Sequence, residues 1–198
     1  LAVHFAGLPC DLYELREIAE GHGLLLIEDA AHALGAEYRG KCIGQDSFLA
    51  TLSFHPVKHI TTGEGGAVCT NDSALGERIA VLRTHGIRRS ANQRFGPNTS
   101  WQYDMEELGF NYRLTDLQAV LGSSQLSRLD EFVKRRNDLA LFYEKQLSGE
   151  QAIFLPSSAR AGDVHAWHIY VMRLKQSFLT ADRNKIFSAL RAENIGVN

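Results

Sequence analysis

The chain has 198 residues, with 21 Lys and Arg against 23 Asp and Glu, a formal net charge of −2. So near-neutral a balance gives no sign of a basic nucleic-acid groove or a cationic membrane patch. With 44% hydrophobic and 22% charged residues, the composition is that of a water-soluble protein, long enough for one sizeable domain or one and a half small ones. No apolar run is long enough to span a bilayer, and Leu1-Ala2-Val3-His4-Phe5 lacks the features of a secretory leader. Cys10, Cys42 and Cys69 have neither zinc-knuckle nor redox spacing. They read as free thiols in packing roles, in a reducing cytoplasm. The chain opens in what reads as mid-strand and stops at Ile195-Gly196-Val197-Asn198, which reads as the start of another strand; an internal piece of a longer protein is expected.

Residues 1–5 read as a strand closed by the turn Ala6-Gly7-Leu8-Pro9. Asp11 is placed to cap a helix through about His22, with Leu12, Leu15, Ile18 and Ala19 on one face, and Gly23 ends it. The run Leu24–Ile27 predicts a strand buried on both faces of a parallel sheet, which completes a βαβ unit. Leu49–Phe54 and Ala67–Thr70 read as further strands, and Asn71-Asp72-Ser73 caps a helix to about Arg83. Residues 86–105 are polar and aperiodic, the pattern of a long surface loop. Thr115-Asp116 starts a helix with Leu117, Val120 and Leu121 inward, and a longer one runs from Ser127 to Leu147 with Leu129, Phe132, Val133, Leu139, Phe142 and Tyr143 recurring at helical spacing. After Gly149 the pattern changes to two strands, Ala152–Pro156 and His168–Leu174, and a helix opened by Thr180-Ala181-Asp182 and running to about Glu193. The expected organisation is a large domain over 1–149 and the start of a smaller α+β domain over 150–198.

The stretch Ser53-Phe54-His55-Pro56-Val57-Lys58-His59-Ile60-Thr61-Thr62-Gly63-Glu64-Gly65-Gly66 carries the chemistry. It sets Lys58 between an apolar strand and a glycine turn. A lysine beside a dry pocket loses its proton more readily and can attack a carbonyl carbon. Asp29 ends the strand Leu24–Glu28, where residues of α/β sheets face the ligand crevice. It serves either as a helix cap for Ala30-Ala31-His32 or as counter-ion to a protonated pyridine nitrogen, the usual companion of a pyridoxal phosphate (PLP) lysine. Ser53 suits either a cofactor phosphate or a strand-end turn, and His32 either a ring contact or a core position. His55 and His59, four apart, could pair on a metal, as in a zinc hydrolase, but Pro56 interrupts the helix such a pair needs and no third ligand is evident. The glycines lack the nucleotide P-loop pattern and read as a tight turn.

Three segments together, Ile27-Glu28-Asp29-Ala30-Ala31-His32-Ala33-Leu34-Gly35, then Phe54-His55-Pro56-Val57-Lys58, then Gly63-Glu64-Gly65-Gly66, resemble the DegT/StrS family of PLP-dependent nucleotide-sugar aminotransferases. His85-Gly86-Ile87 and Gly109-Phe110-Asn111-Tyr112-Arg113-Leu114-Thr115-Asp116-Leu117-Gln118-Ala119 agree, and the resemblance runs from Leu1 to Asn198. It implies an α/β, fold-type I aminotransferase architecture: a central, mostly parallel sheet with flanking helices. It also implies a cytoplasmic homodimer with shared active sites, acting on a nucleotide-sugar substrate with an amino-acid donor, by resemblance glutamate. Carried over motif by motif, Lys58 is the catalytic lysine, bound to the cofactor aldehyde as a Schiff base and shuttling the proton. Asp29 pairs with the pyridine nitrogen, Ser53 holds the phosphate, His32 sits against the ring or its hydroxyl, and Asn111 reaches the phosphate of the partner's cofactor. No metal is implied.

Val3-His4-Phe5-Ala6-Gly7 and Ile60-Thr61-Thr62 most resemble the UDP-4-amino-4,6-dideoxy-N-acetyl-altrosamine transaminases of the pseudaminic acid pathway, which aminate C4 of a UDP-linked 4-keto-6-deoxy sugar. Relatives acting on C3 ketones share most of these residues, and a non-catalytic sensor on the same fold is the alternative from another class. Some family members carry histidine in place of the lysine and act as dehydratases; Lys58 favours amino transfer. The family's N-terminal segment, with a further phosphate-binding loop and a ring-stacking aromatic residue, is expected to lie outside this chain, so these residues alone should bind PLP poorly.

Overall fold

A computed structural model describes residues 1–88 and 103–197. By internal contacts the chain forms two compact units, Leu1–Asn137 with Ser158–Ile169, and Asp138–Ser157 with Tyr170–Asn198.

The first unit is built on a four-stranded sheet of β1 (Ala2–Val3), β2 (Ile27–Asp29), β5 (Leu49–Ser53) and β6 (Gly66–Cys69), in the order β1-β2-β5-β6. β1, β2 and β5 are parallel, with Ala2 opposite Glu28 and Asp29 opposite Thr51, while β6 runs antiparallel to β5 at the edge. A small hairpin, β3 (Glu37–Tyr38) with β4 (Lys41–Cys42), lies between β2 and β5 in sequence. Helices α1 (Leu12–Gly21), α2 (Ser73–Leu82), α3 (Asp116–Leu126) and α4 (Leu129–Leu147) complete the main elements, α4 continuing past Asn137 into the second unit. The second unit also holds the two-stranded pair β7 (Ile153–Phe154) and β8 (Arg173–Leu174), and helix α5 (Arg183–Ala192). No helix among the described residues is long and apolar enough to cross a membrane, and the three cysteines are unpaired.

The apolar run after α1 does not form the strand it predicts. Gly23, at φ 62°, reverses the chain, Gly23 N–H bonds Glu20 O at 3.1 Å and Leu24 N–H bonds Ala19 O at 2.8 Å. These are the bonds of a Schellman closure, so Leu24 is spent on ending the helix. Leu24 and Leu25 are 62% and 69% exposed, and the strand begins only at Ile27, which is not buried on both faces. Asp11 occupies the N-cap of α1, but its side chain accepts no cap bond. It takes the Tyr38 hydroxyl at 2.8 Å and the Arg160 guanidinium instead. Asp72 and Thr115 do cap: Asp72 accepts Leu75 N–H, and Thr115 with Gln118 forms a reciprocal capping box.

The core is built from small residues. Ala30, Ala33, Ala36 and Ala166 are at most 1% exposed and pack against Ile43 and Leu52. Side chains of that size let β2, the turns after it and the segment around Ala166 approach closely. Other expected inward residues face out: Leu117 and Val120 of α3 are 86% and 69% exposed. Leu121, and Leu139, Phe142 and Tyr143 of α4, are exposed as well. The expected strand 168–174 is reduced to Arg173–Leu174, because the chain just before it turns through Trp167 at φ 47°. Of the expected loop over 86–105, residues 89–102 lie outside the described residues; its base is closed by an antiparallel bridge between Ile87 and Met105.

Candidate functional site

The lysine segment is the connection between β5 and β6, and both its feet stand in one ladder, from Ala50 opposite Cys69 to Ser53 opposite Gly66. Phe54 N–H donates to Gly65 O at 2.8 Å and closes the base. Lys58 N–H donates to His55 O at 2.9 Å, which sets the turn that carries the lysine, and Thr62 N–H returns to Phe54 O at 3.0 Å. Ser53, the last residue of β5, uses Oγ as a long 3.4 Å acceptor for His55 N–H.

Helix α3 seats this loop. Thr61 N–H donates to Gln125 Oε1 at 2.9 Å, and Gln118 Nε2 donates to Glu64 O at 2.8 Å. Between these glutamines Gly122 approaches so closely that a Cβ there would lie 2.8 Å from the Thr62 methyl. Positions 118, 122 and 125 share one helix face. The face turned to the protein is therefore polar and small, and the leucines point elsewhere. Sequence periodicity finds an apolar stripe without telling what it meets, which is why Gln118, Gln125 and Thr61 escaped it. The one available signal was Gln three residues after Thr115, the capping-box spacing.

Asp29 closes β2, and its Oδ1 accepts Ala31 N–H at 3.0 Å. The residues after it form turns rather than a helix, so the carboxylate caps a turn, not a helix. His32 follows in that turn, its Nδ1 accepting Ala6 N–H at 3.3 Å. Lys58, Asp29 and His32 lie within electrostatic reach of one another. Burial pulls the Lys58 ammonium below its ordinary range, with the Asp29 charge opposing. Burial first, then the Lys58 charge, lowers His32 as well, again with Asp29 opposing. Among the described residues no hydrogen bond or ion pair uses Lys58 Nζ. Asn111 is exposed and bridges Thr84 in an isolated antiparallel pair.

His59 is 4% exposed and its Nε2–H donates to Ala166 O at 2.9 Å, while burial pushes its pKa down to about 4. His55 is exposed, 3.9 Å from the Glu64 carboxylate. The two histidines thus serve different surroundings. Among the described residues no group of three His, Cys, Asp or Glu is placed to hold a metal ion.

Beneath Asp29, Glu28 is 1% exposed. It meets His4 Nε2 at 3.2 Å and Arg16 Nη2 at 3.4 Å. Burial favours the neutral acid, but the His4 hydrogen bond and the His4 and Arg16 charges outweigh it and hold the carboxyl below 4.5. A carboxyl depressed on folding adds stability above its unfolded pKa and loses it as pH falls through the folded value. The full-length protein should therefore lose stability as pH falls below about 4.5. Glu28→Gln should flatten that part of the profile and lower stability at neutral pH by about 1–3 kcal/mol. Urea midpoints measured against pH check this, and a Gln variant with an unchanged acid limb would contradict it.

The profile of the DegT/DnrJ/EryC1/StrS aminotransferase family matches residues 1–198. Spore coat polysaccharide biosynthesis protein SpsC of Bacillus subtilis is 38% identical over 99% of this chain and 50% of its own. Helicobacter pylori PseC, an aminotransferase involved in the biosynthesis of pseudoaminic acid, superposes with a TM-score of 0.85 at 29% identity, over 96% of this chain and 49% of its own. The PLP form of the putative sugar aminotransferase Spr1654 of Streptococcus pneumoniae gives 0.85 at 26% identity, over 99% of this chain and 52% of its own. The chain spans about half the length of the curated relatives it matches. Its mostly parallel sheet with flanking helices is the fold-type I arrangement of these enzymes, and the chain belongs to the DegT/DnrJ/EryC1/StrS aminotransferase family.

Proposed function

We propose that this chain is the lysine-bearing part of a PLP-dependent sugar aminotransferase. It moves an amino group, from glutamate as donor, to a keto carbon of a nucleotide-linked 6-deoxy sugar, with C4 as the carbon. The observation that carries this is Lys58 itself: a half-buried amine, lowered toward its free form, engaged by no hydrogen bond among the described residues, and within electrostatic reach of a strand-end carboxylate and an imidazole. That donor set fits PLP. An unprotonated amine suits the cofactor's aldehyde, a carboxylate its pyridinium nitrogen, and an imidazole its ring or phenolic oxygen. Ser53, at the foot of the loop, is assigned to the phosphate, and Asn111 to the phosphate of a partner subunit's cofactor in a homodimer. Residues 1–149 are assigned to a large cofactor-binding domain and 150–198 to the start of a smaller one, from which Ser158–Ile169 returns to the first compact unit.

Bound PLP supplies the electron sink that stabilises negative charge at the reacting carbon. The chain's own residues do the rest. Asp29 presents its carboxyl group at the strand end while its Oδ1 stays anchored on Ala31 N–H. Lys58 takes the proton from the donor carbon and returns one to the sugar carbon, as general base and then general acid. The α3 glutamines keep the lysine's loop in place.

The similarity to PseC supports a substrate of the pseudaminic type, for which we assign a UDP-linked sugar, and that to SpsC supports a role in surface polysaccharide synthesis; we assign both to the cytoplasm. Borohydride reduction of the full-length protein with PLP should fix the cofactor mass on Lys58, and incubation with glutamate should aminate a 4-keto nucleotide sugar. Absence of the adduct in wild type would favour the non-catalytic sensor. Amination of a 3-keto sugar alone would move the reacting carbon.

A further inference from the structure

Two segments far apart in sequence meet around His32. The first is the turn Phe5–Gly7, whose Ala6 N–H points at His32 Nδ1 from a residue held at φ 60°. The second is His165–His168, whose last ring lies 4.4 Å from the His32 ring, tilted by 40°. Ala166 N–H donates to Gly7 O at 2.9 Å and His168 N–H to Ala6 O at 2.8 Å, so the two segments are hydrogen-bonded to each other. Their approach is close: at Gly7, φ 96°, a Cβ would lie 2.8 Å from His32 O and 2.9 Å from Trp167 N.

The second segment is itself held. Arg136 Nη1 donates to Trp167 O at 2.8 Å and to His168 O at 3.1 Å, and Asn137 Nδ2 donates to His165 O at 2.9 Å. The His165 and Trp167 rings stack with centroids 3.7 Å apart. Ala6 and Trp167 both adopt positive φ without being glycine. Such conformations persist where their surroundings over-determine them, and they gather at functional sites.

We propose that His168 is a positioning residue: backed by Arg136, its ring and the Ala6 N–H hold the His32 imidazole in one orientation and one tautomer beside Lys58. Because Nδ1 accepts the Ala6 N–H, the neutral His32 ring carries its proton on Nε2. The site then has one N–H donor of defined direction. His168 does this as an uncharged ring. Burial first, then the charges of His32, Lys58, His59 and Arg136, bring its pKa down to about 4, and its Nδ1 is buried without a hydrogen-bond partner among the described residues. The charged and titratable groups around His32 are Lys58 from the loop, Asp29 from β2 and His168 from this segment, with His59 and Arg136 next to His168. The proposal rests on the reading of Lys58 and His32 as one site, and not on the identity of the sugar.

The test is a histidine nitrogen NMR titration of the full-length protein without added cofactor. Wild type should show His32 as the Nε2–H tautomer, titrating below 6.5. His168→Phe keeps an aromatic ring at this place while replacing both imidazole nitrogens, of which the buried Nδ1 has no hydrogen-bond partner among the described residues, so tautomer and midpoint should be retained. His168→Ala opens the ring face to water and should raise the midpoint by about half a pH unit or more, with mixed tautomers. With cofactor and substrates, kcat in His168→Ala should fall about tenfold with little change in KM, and His168→Phe should recover most of it. If His168→Ala does not fold, Arg136→Met should move the His32 signals in the same direction. The proposal is overturned if the truncating variant leaves His32 unchanged, or if His168→Phe shifts it as far as His168→Ala. Because the titration needs no cofactor, its failure leaves the amino-transfer reading intact. Missing borohydride labelling with normal His32 signals strikes that reading alone.

Discussion

Replacing Lys58 by alanine in the full-length enzyme should lower amino transfer by about 10⁴-fold or more, because nucleophile and proton carrier are lost together. Lys58→Arg should be equally inactive, since a guanidinium cannot give up its proton at working pH. Neither change should cost much stability: the side chain is half-exposed and its amine makes no hydrogen bond or ion pair among the described residues. Assay with glutamate and a 4-keto nucleotide sugar, alongside thermal unfolding, separates these statements. An added small primary amine should restore part of the lost rate in Lys58→Ala and none in Lys58→Arg, where the cavity stays filled. Wild-type turnover in either variant would remove Lys58 from the mechanism.

Asp29→Asn should be the second most damaging change, with a fall in kcat of about 10²–10³. Two unit charges about 4 Å apart attract by roughly 4 kcal/mol at an effective dielectric near 20, or about three pK units. That is the scale on which a strand-end carboxylate keeps a pyridinium nitrogen protonated, before desolvation reduces it. Asparagine is the informative substitution because its carbonyl oxygen can still accept Ala31 N–H, as Oδ1 does at 3.0 Å. The turn survives while the charge goes. Asp29→Ala removes both and should lower stability by about 1 kcal/mol more. Activity of Asp29→Asn within threefold of wild type would mean that the carboxylate only caps its turn.

The sequence made the placement of the candidate residues legible where it is local. Lys58 between a strand and a glycine turn, and Asp29 at a strand end, stand where residue type and spacing put them, while the roles assigned to them rest on the resemblance. The helix starts at Asp72, Thr115 and Asp182 were also readable, because a cap is a contact across three residues. What stayed hidden depends on partners far along the chain. Leu24-Leu25 carries a strand composition but is consumed by the closure of α1. The apolar residues of α3 mark a face without saying what lies opposite. The return of Ser158–Ile169 to the first unit leaves no local pattern, since its partners are scattered: backbone bonds to Ala6, Gly7, Glu37 and Gly40, and side chains that include Asp11, His59, Arg136 and Asn137. His168 could not be singled out from a strand-like stretch, and it became visible only when its ring was found against that of His32.

The loop between β5 and β6 draws its shape from main-chain bonds at Phe54, Lys58 and Thr62 and from the side chains of Thr61, Gln118 and Gln125. The amine at its apex takes no part. Position 58 is therefore a socket: the frame that presents the side chain is assembled whether or not that side chain can react. A single codon change there can exchange one chemistry for another, or silence it, without asking the fold to change. This gives a physical basis for the expectation that histidine in place of lysine here would change the reaction and keep the fold. Inheritance of the scaffold and inheritance of the reaction are separable, and they part at one residue.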